Sequence, residues 1–369
     1  FKQKTAYEIP KRDWSSDVCS SDLSTITLAE PTHRSSSGIF FNDDLASLIS
    51  PSGRLGQLLF DRTGRTKTWI IDAALVEEIA DLADGYTYLG SDKKEVAVPE
   101  LVLADIWINT LKSATKNSTV LALPYGNPSV SLLAKIAPDE LALYRNLGQS
   151  RLSLALGKKD VGTTNFTGTP SVSPAAIKAY TPLRQSIEMI NSLITLKSIE
   201  DQRLKLAQLL DPTLTPERLG ELATDLRIAN LELRKKVRIS GGNYTITSSR
   251  YELPITVVND FEQQVNLDVR ISPTNARVIV GKIPRISVGA QSQLQLKIPI
   301  TVIASGDTNL RIQLWTPAGE KVGEERRIPL RLAVISSSTT WFATVLTVIL
   351  LLAVITQSVR RVKRRRANG

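Results

Sequence analysis

The chain has 369 residues, of which 42% are hydrophobic and 5% aromatic, with one cysteine, one histidine and a formal net charge of +10. That length holds two domains, and the composition is that of folded protein. One histidine cannot build a His-based metal site. Six of the basic residues fall after Val359, so only about +4 remains upstream, too little to argue for nucleic acid.

Lys2 to Ile9 (KQKTAYEI) and Asp13 to Leu23 (DWSSDVCSSDL), with Pro10 to Arg12 between them, resemble the in-frame translation of oligonucleotides ligated to DNA for sequencing. Such scars stand outside fold reasoning. Residues 1–23 are therefore expected to be adapter-derived, with native sequence beginning near Ser24 and the reading frame truncated upstream. The only cysteine, Cys19, belongs to the scar, so the native part offers no disulfide and no thiol site.

Residues 24–156 alternate short β-like runs with helical patterns, which predicts βα units and a partial α/β domain of the β/α-barrel-like kind. Lys67 to Ile71 (KTWII) reads as a strand, and Asp72 opens a helix in which Leu75, Ile79 and Leu82 recur at helical spacing, ending at Gly85. Pro99 is placed to start a second helix. Ser118 to Leu123 (STVLAL) reads as the next strand, running into the turn-rich Pro124-Tyr125-Gly126-Asn127-Pro128.

Ligands of α/β sheets bind at the carboxyl ends of the strands. Asp72, Tyr125 and Asn127 are accordingly the candidate ligand-binding residues. A plain structural role stands beside each: Asp72 is a good N-cap for its helix, and Tyr125 and Asn127 suit a Pro-Gly turn. The loop LPYGNP resembles the Arg-Pro-Pro-Tyr-Gly type motif of polysaccharide deacetylases, with Ala122 at the arginine position. The Asp-Asp pair and His-rich metal motif of those enzymes are not visible, and neither is a Ser/His/Asp set, a P-loop or a Rossmann fingerprint. Asp43-Asp44 reads as the start of a helix, and the sequons at Asn117, Asn165 and Asn243 are motif matches only. No catalytic residue, metal or cofactor is expected.

Residues 157–180, rich in Gly, Thr, Ser and Pro in their first part, read as a linker. Residues 181–236 read as a helical hairpin, with helices over Pro182 to Leu210 and Pro216 to Lys236 and Thr215 as N-cap. From Val237 the period switches to two, and residues 237–336 read as an all-β, immunoglobulin-like sandwich. Alternation is clear at Leu294, Leu296 and Ile298 against Gln293, Gln295 and Lys297.

Residues 341–359 (WFATVLTVILLLAVITQSV) carry no charge and have about the length of a transmembrane helix. Trp341 marks the upstream interface. Arg360, Arg361, Lys363, Arg364, Arg365 and Arg366 in the tail 360–369 mark the cytoplasmic side. The expectation is a single-pass membrane protein, N-terminus outside and C-terminus cytoplasmic.

The order GRLGQLL, TWIIDAALVEEIADLADG, LALPYGNPSV, LLDPTLT and YTITSSRYELPITVVNDFEQQVNLDV, followed by a hydrophobic segment and basic tail, resembles a family of uncharacterised actinobacterial membrane proteins encoded near the lipid II flippase gene. Its marks are Trp69 with Asp72, and Leu253, Pro254, Thr256, Val257 and Asn259. The resemblance implies a cell-envelope setting, without a known reaction. The expected function is a binding or structural role near cell-wall or polysaccharide assembly, with the lipid bilayer, a cell-wall glycan or an envelope-assembly membrane protein as partner and no nucleic acid. The alternative is a carbohydrate-active hydrolase or deacetylase-like enzyme on a (β/α) scaffold, with Asp72 as acid or base.

Overall fold

The computed structural model describes residues 25–61, 68–164, 171–195, 199–333 and 344–357. The chain divides into one unit of Phe1–Arg184 with Glu200–Ile228 and another of Gln185–Ile199 with Ala229–Gly369. The adapter-like residues 1–23 lie outside the described residues.

In the first unit, β1 (Thr25–Leu28) is followed by α1 (Asp44–Leu48), α2 (Arg54–Phe60), β2 (Thr68–Ile71) and α3 (Ala73–Asp84). A small antiparallel hairpin, β3 (Tyr86–Leu89) with β4 (Glu95–Val98), leads to α4 (Val102–Thr115) and β5 (Thr119–Ala122). Then come α5 (Val130–Ile136), α6 (Pro138–Leu156), β6 (Val161–Thr163), α7 (Pro174–Asn191), α8 (Glu200–Gln208) and α9 (Pro216–Lys235). The boundary between the units falls within α7 and α9.

The main sheet has the order β1-β2-β5-β6, all parallel. Each strand lies beside its predecessor in that sheet, without the reversal of direction at a switch point that a doubly wound sheet has. Strand and helix form for simple reasons here. Trp69 and Ile71 of the apolar TWII run are fully buried, and the helical stripe Leu75, Ile79 and Leu82 of α3 is buried with them. All four strands therefore end on one side, where the loops opened by Asp72 and by Leu123 meet.

In the second unit, β7 (Val237–Ser240), β8 (Tyr244–Ile246), β9 (Arg250–Asn259), β10 (Val265–Pro273) and β11 (Val278–Val280) are followed by β12 (Ile286–Val288), β13 (Ser292–Val302), β14 (Gly306–Trp315) and β15 (Lys321–Leu332). They form a five-stranded sheet, β12-β10-β14-β15-β8, and a four-stranded sheet, β11-β13-β9-β7. Asn259 ends β9 fully buried. Its side-chain amide donates to the carbonyls of Gln263 (2.8 Å), Val288 (3.2 Å) and Gly289 (2.7 Å), and its oxygen accepts from Phe261 N (3.0 Å).

The expected fold class is corrected to mixed helices and curled sheets. In place of the all-β, immunoglobulin-like sandwich expected, the second unit has two curled sheets, in one of which β8 pairs in parallel with β15. The chain leaves one sheet after β7 and enters the other at β8 by turning through Gly241, where a Cβ would lie 2.6 Å from Ile328 Cδ1. A bare backbone makes that close passage.

The expected linker contains β6, whose three residues complete the parallel sheet. Pro182 lies inside α7 instead of starting a helix, and the Thr181 hydroxyl donates to Ile177 O (3.0 Å) on the preceding turn.

The expected transmembrane helix is also corrected. Among the described residues no helix is long and apolar enough to cross a membrane. The run is described as helix only over 344–357. Single-pass membrane localisation is not supported. Trp341 and the basic residues Arg360, Arg361, Lys363, Arg364, Arg365 and Arg366 lie outside the described residues.

Candidate functional site

Asp72 follows β2 directly and caps α3, its Oδ1 accepting from Ala74 N (3.0 Å). The same oxygen accepts from Gly126 N (3.0 Å), so one carboxylate ties the start of α3 to the loop after β5. Asp72 is 1% exposed. Burial pushes its carboxyl up to about 8; the two N–H bonds oppose that shift, and the charges of Asp211 and Glu78 add to it.

Tyr125 is buried beside it. Its hydroxyl donates to Glu77 Oε2 (2.6 Å), and the Arg151 guanidinium lies 5.3 Å from its ring centre. Burial first, and the Glu77 carboxylate next, raise the phenol well above its ordinary range. Asn127 takes the left-handed conformation (φ 48°) that asparagine tolerates in turns, and its amide donates to Asp211 Oδ1 (3.4 Å). That oxygen also accepts from Thr213 N (2.8 Å) and Thr213 Oγ1 (2.7 Å). Burial still raises Asp211 to about 6.

The three candidate residues thus converge at the carboxyl end of the parallel sheet; Tyr125 also lines a cavity, while Asp72 and Asn127 face the chain itself. Helix α8 and the turn after it close over them. Gln208 sits so near Gly126 that a Cβ there would lie 2.6 Å from its Cγ. Ser129 N donates to Leu210 O (2.9 Å).

Ion pairs and polar contacts fasten α8 from several sides. Arg203 of α8 pairs with Glu140 of α6 (2.6 Å). Arg151 of α6 bridges Glu200 (2.8 Å) of α8 and Glu77 (3.3 Å) of α3. Lys205 donates to Arg34 O (2.9 Å) in the loop after β1 and lies 3.9 Å from Glu78. Burial lowers Lys205 to about 8 against the pull of Glu78.

A cavity of about 500 Å³ remains open beside this closure, lined by Arg34, Glu77, Asp81, Tyr125, Arg151 and Lys205 among others. A larger and more open cleft of about 1160 Å³ in the same unit is lined by Glu30, His33, Asp44, Arg218 and Glu221, and by none of the three candidate residues.

Sequence reasoning missed Glu78, Lys205 and Asp211. Glu78 had a visible signal: it falls on the apolar stripe of α3 between Leu75 and Ile79, and it is buried there, accepting from Thr32 Oγ1 and from His33 N (2.9 Å). The ring nitrogens of His33 have no partner among the described residues. No group of three or more His, Cys, Asp or Glu residues among the described residues could hold a metal ion.

Residues 185–367 match a family of unknown function, DUF6049. No curated protein matches the chain. Among solved structures, the chain is similar to Salmonella alpha-2-macroglobulin reacted with methylamine, at 8% identity and a TM-score of 0.22, over 26% of this chain and 7% of that one. It is similar also to WR4, a C. elegans MSP family member, at 13% identity and a TM-score of 0.21, over 27% of this chain and 98% of that one. The YadV chaperone gives 13% identity and a TM-score of 0.21, over 27% and 53%. The chain spans under a tenth of the macroglobulin, and at these scores the likenesses specify no fold and no activity.

Proposed function

We propose that the protein is a binding component of cell-envelope polysaccharide assembly that holds its ligand without cleaving it. The observation that carries this reading is the closure of the strand ends. A hydrolase on this scaffold must let a glycosidic or acyl bond reach its acid. Here the Asp72 carboxylate is bonded to two backbone amides and covered by α8 and the turn through Asp211. The neighbouring cavity is lined by alternating cations and carboxylates with the Ser35 and Ser37 hydroxyls, a surface suited to a hydroxyl-rich ligand. The envelope setting rests on the resemblance carried by Trp69 with Asp72 and by Leu253, Pro254, Thr256, Val257 and Asn259.

A second reading, a carbohydrate-active hydrolase or deacetylase-like enzyme, is favoured by one observation. Asp72 and Asp211 are two buried carboxyls whose proton affinities are pushed apart, to about 8 and about 6, the pattern of an acid and a base. It requires the turn through Asp211 to withdraw.

The two readings separate in one experiment. Fragments of envelope polysaccharide are titrated into the protein by calorimetry while released reducing ends and acetate are assayed. We expect saturable binding, weakened about tenfold by Arg151→Gln, a loss of about 1.4 kcal/mol, and no released product. Product that disappears in folded Asp72→Asn establishes the enzyme instead.

A further inference from the structure

We propose that the outward face of the five-stranded sheet in the second unit binds a polyanionic glycan, its guanidinium groups taking phosphate or carboxylate and its amides taking sugar hydroxyls. This face is independent of the cavity in the first unit. Strand β14 alternates cleanly: Thr308, Leu310, Ile312 and Leu314 are buried, and Asn309, Arg311 and Gln313 point outward. Register then places Arg327 of β15 directly opposite Arg311 and Arg270 of β10 opposite Gln313. Trp315, half-buried at the end of β14, gathers Arg270 and one further cation: the Arg270 guanidinium lies 4.0 Å and the Lys321 ammonium 5.6 Å from its ring.

Like charges directly opposite one another destabilise a sheet. Among the described residues Arg311 forms no ion pair, and Arg327 has only Glu325, 3.5 Å away and exposed to water. The other acids on the face are already occupied or lie at its end: Asp268 is held by Arg285 (2.8 Å), and Asp307 stands opposite Arg331. Guanidinium groups at about the 5 Å strand separation, one without an ion pair and one with only an exposed carboxylate beside it, suit an anionic chain, because arginine binds phosphate and carboxylate oxygens in a fixed fork.

The same face says what kind of chain. From Asp307 to Gln313, β14 turns no aliphatic side chain outward that could enter a bilayer. The row of cations leads into a cavity of about 530 Å³ at the strand ends, lined by Asn243, Thr245, Asn275, Asp307, Asn309 and Arg331. Amides and hydroxyls beside guanidinium groups match a polymer that alternates sugars with anionic groups.

The test uses the full chain and the double variant Arg311→Gln, Arg327→Gln, with thermal unfolding as a control. Removing facing like charges should leave Tm unchanged or raise it. The probes are glycosylated poly(glycerol phosphate), the same polymer without sugars, neutral dextran, phosphatidylglycerol vesicles and polyuridylate. The native protein should bind the glycosylated polymer, with affinity falling steeply toward about 0.3 M salt, and should not bind dextran. The double variant should bind about tenfold more weakly. Asn309→Ala should lose affinity for the glycosylated polymer only. The proposal is overturned by equal binding in the double variant, by no binding of the glycosylated polymer, or by vesicles or polyuridylate binding as tightly as the glycan.

Discussion

Asp72 illustrates how far a single residue could be read. Its N-cap role was legible because the acceptor and Ala74 N are two residues apart. Its second bond, to Gly126 N, was not legible because the donor lies 54 residues away and is placed by the sheet. Burial of this carboxyl has a consequence in pH. The ordinary value is 3.8 and the folded value about 8, so between these the unfolded chain has released a proton that folded Asp72 keeps. Stability therefore falls as pH rises through that range. Asp211 acts in the same direction between 3.8 and about 6. Lys205 acts oppositely: lowered from 10.5 to about 8, it releases its proton first in the folded state, so stability recovers as pH rises between those values. Urea unfolding across pH should show this minimum near pH 8, and Asp72→Asn should flatten the decline between about pH 6 and 8. An unchanged decline in that variant would remove Asp72 as its cause.

Asn259 was legible only as part of the Leu-Pro-x-Thr-Val-x-Asn resemblance, and the structure supplies the reason for it. Three carbonyls and one N–H depend on one amide with no access to water. Asn259→Ala should cost about 2–3 kcal/mol in chemical denaturation, since buried polar groups are left unpaired. A cost below about 0.5 kcal/mol would show that water replaces the amide.

Among elements, α8 carries the account and was the least readable. The sequence ran Pro182 to Leu210 together as one helix, whereas the structure places α7 and α8 as separate helices, with only the second over the strand ends. Nothing in EDQRLKLAQ signals a buried element, because Lys205 and Gln208 are polar, and their burial follows from Glu78, Arg34 O and Gly126 on other elements. Strand β6 was missed for a related reason: Val-Gly-Thr is too short to show alternation, and its pairing with β5 defines it. By contrast, β2 and α3 were legible because their burial follows local periodicity.

Two substitutions test α8 as a fastened cover. Arg203→Ala leaves Glu140 buried without its partner and should destabilise the first unit by about 3 kcal/mol. Gly126→Ala places a Cβ against Gln208 at a positive φ of 75° and should cost about 1–2 kcal/mol. Limited proteolysis should then cut first near α8. Unchanged proteolysis in both variants would mean that α8 is not held by these contacts.

At the scale of the molecule, the pattern of strands and helices was legible, but the assembly of the strands was not. The parallel pairing of β8 with β15 depends on a sheet switch at Gly241 that no period announces. The apolar run near the C-terminus invited a membrane-spanning reading, but among the described residues no helix is long and apolar enough to cross a membrane. The match at residues 185–367 takes in the sheets with the cationic face together with α8 and Asp211, which cover the strand ends, whereas the strands themselves, Asp72 and Tyr125 precede it.

On the proposed reading the chain is sealed over Asp72 in the native protein, where this carboxyl ties α3 to the loop after β5. Amide hydrogen exchange at Gly126, Ser129 and Thr213 tests it most directly, because each of these N–H groups bonds within the closure. Exchange at these amides should be as slow as that of Leu123, whose N–H bonds to Ile71 O within the sheet, and should not change when envelope polysaccharide is added. Fast exchange at those three amides while Leu123 stays protected, slowed by the polysaccharide, would contradict it and show a cover that opens over an active site.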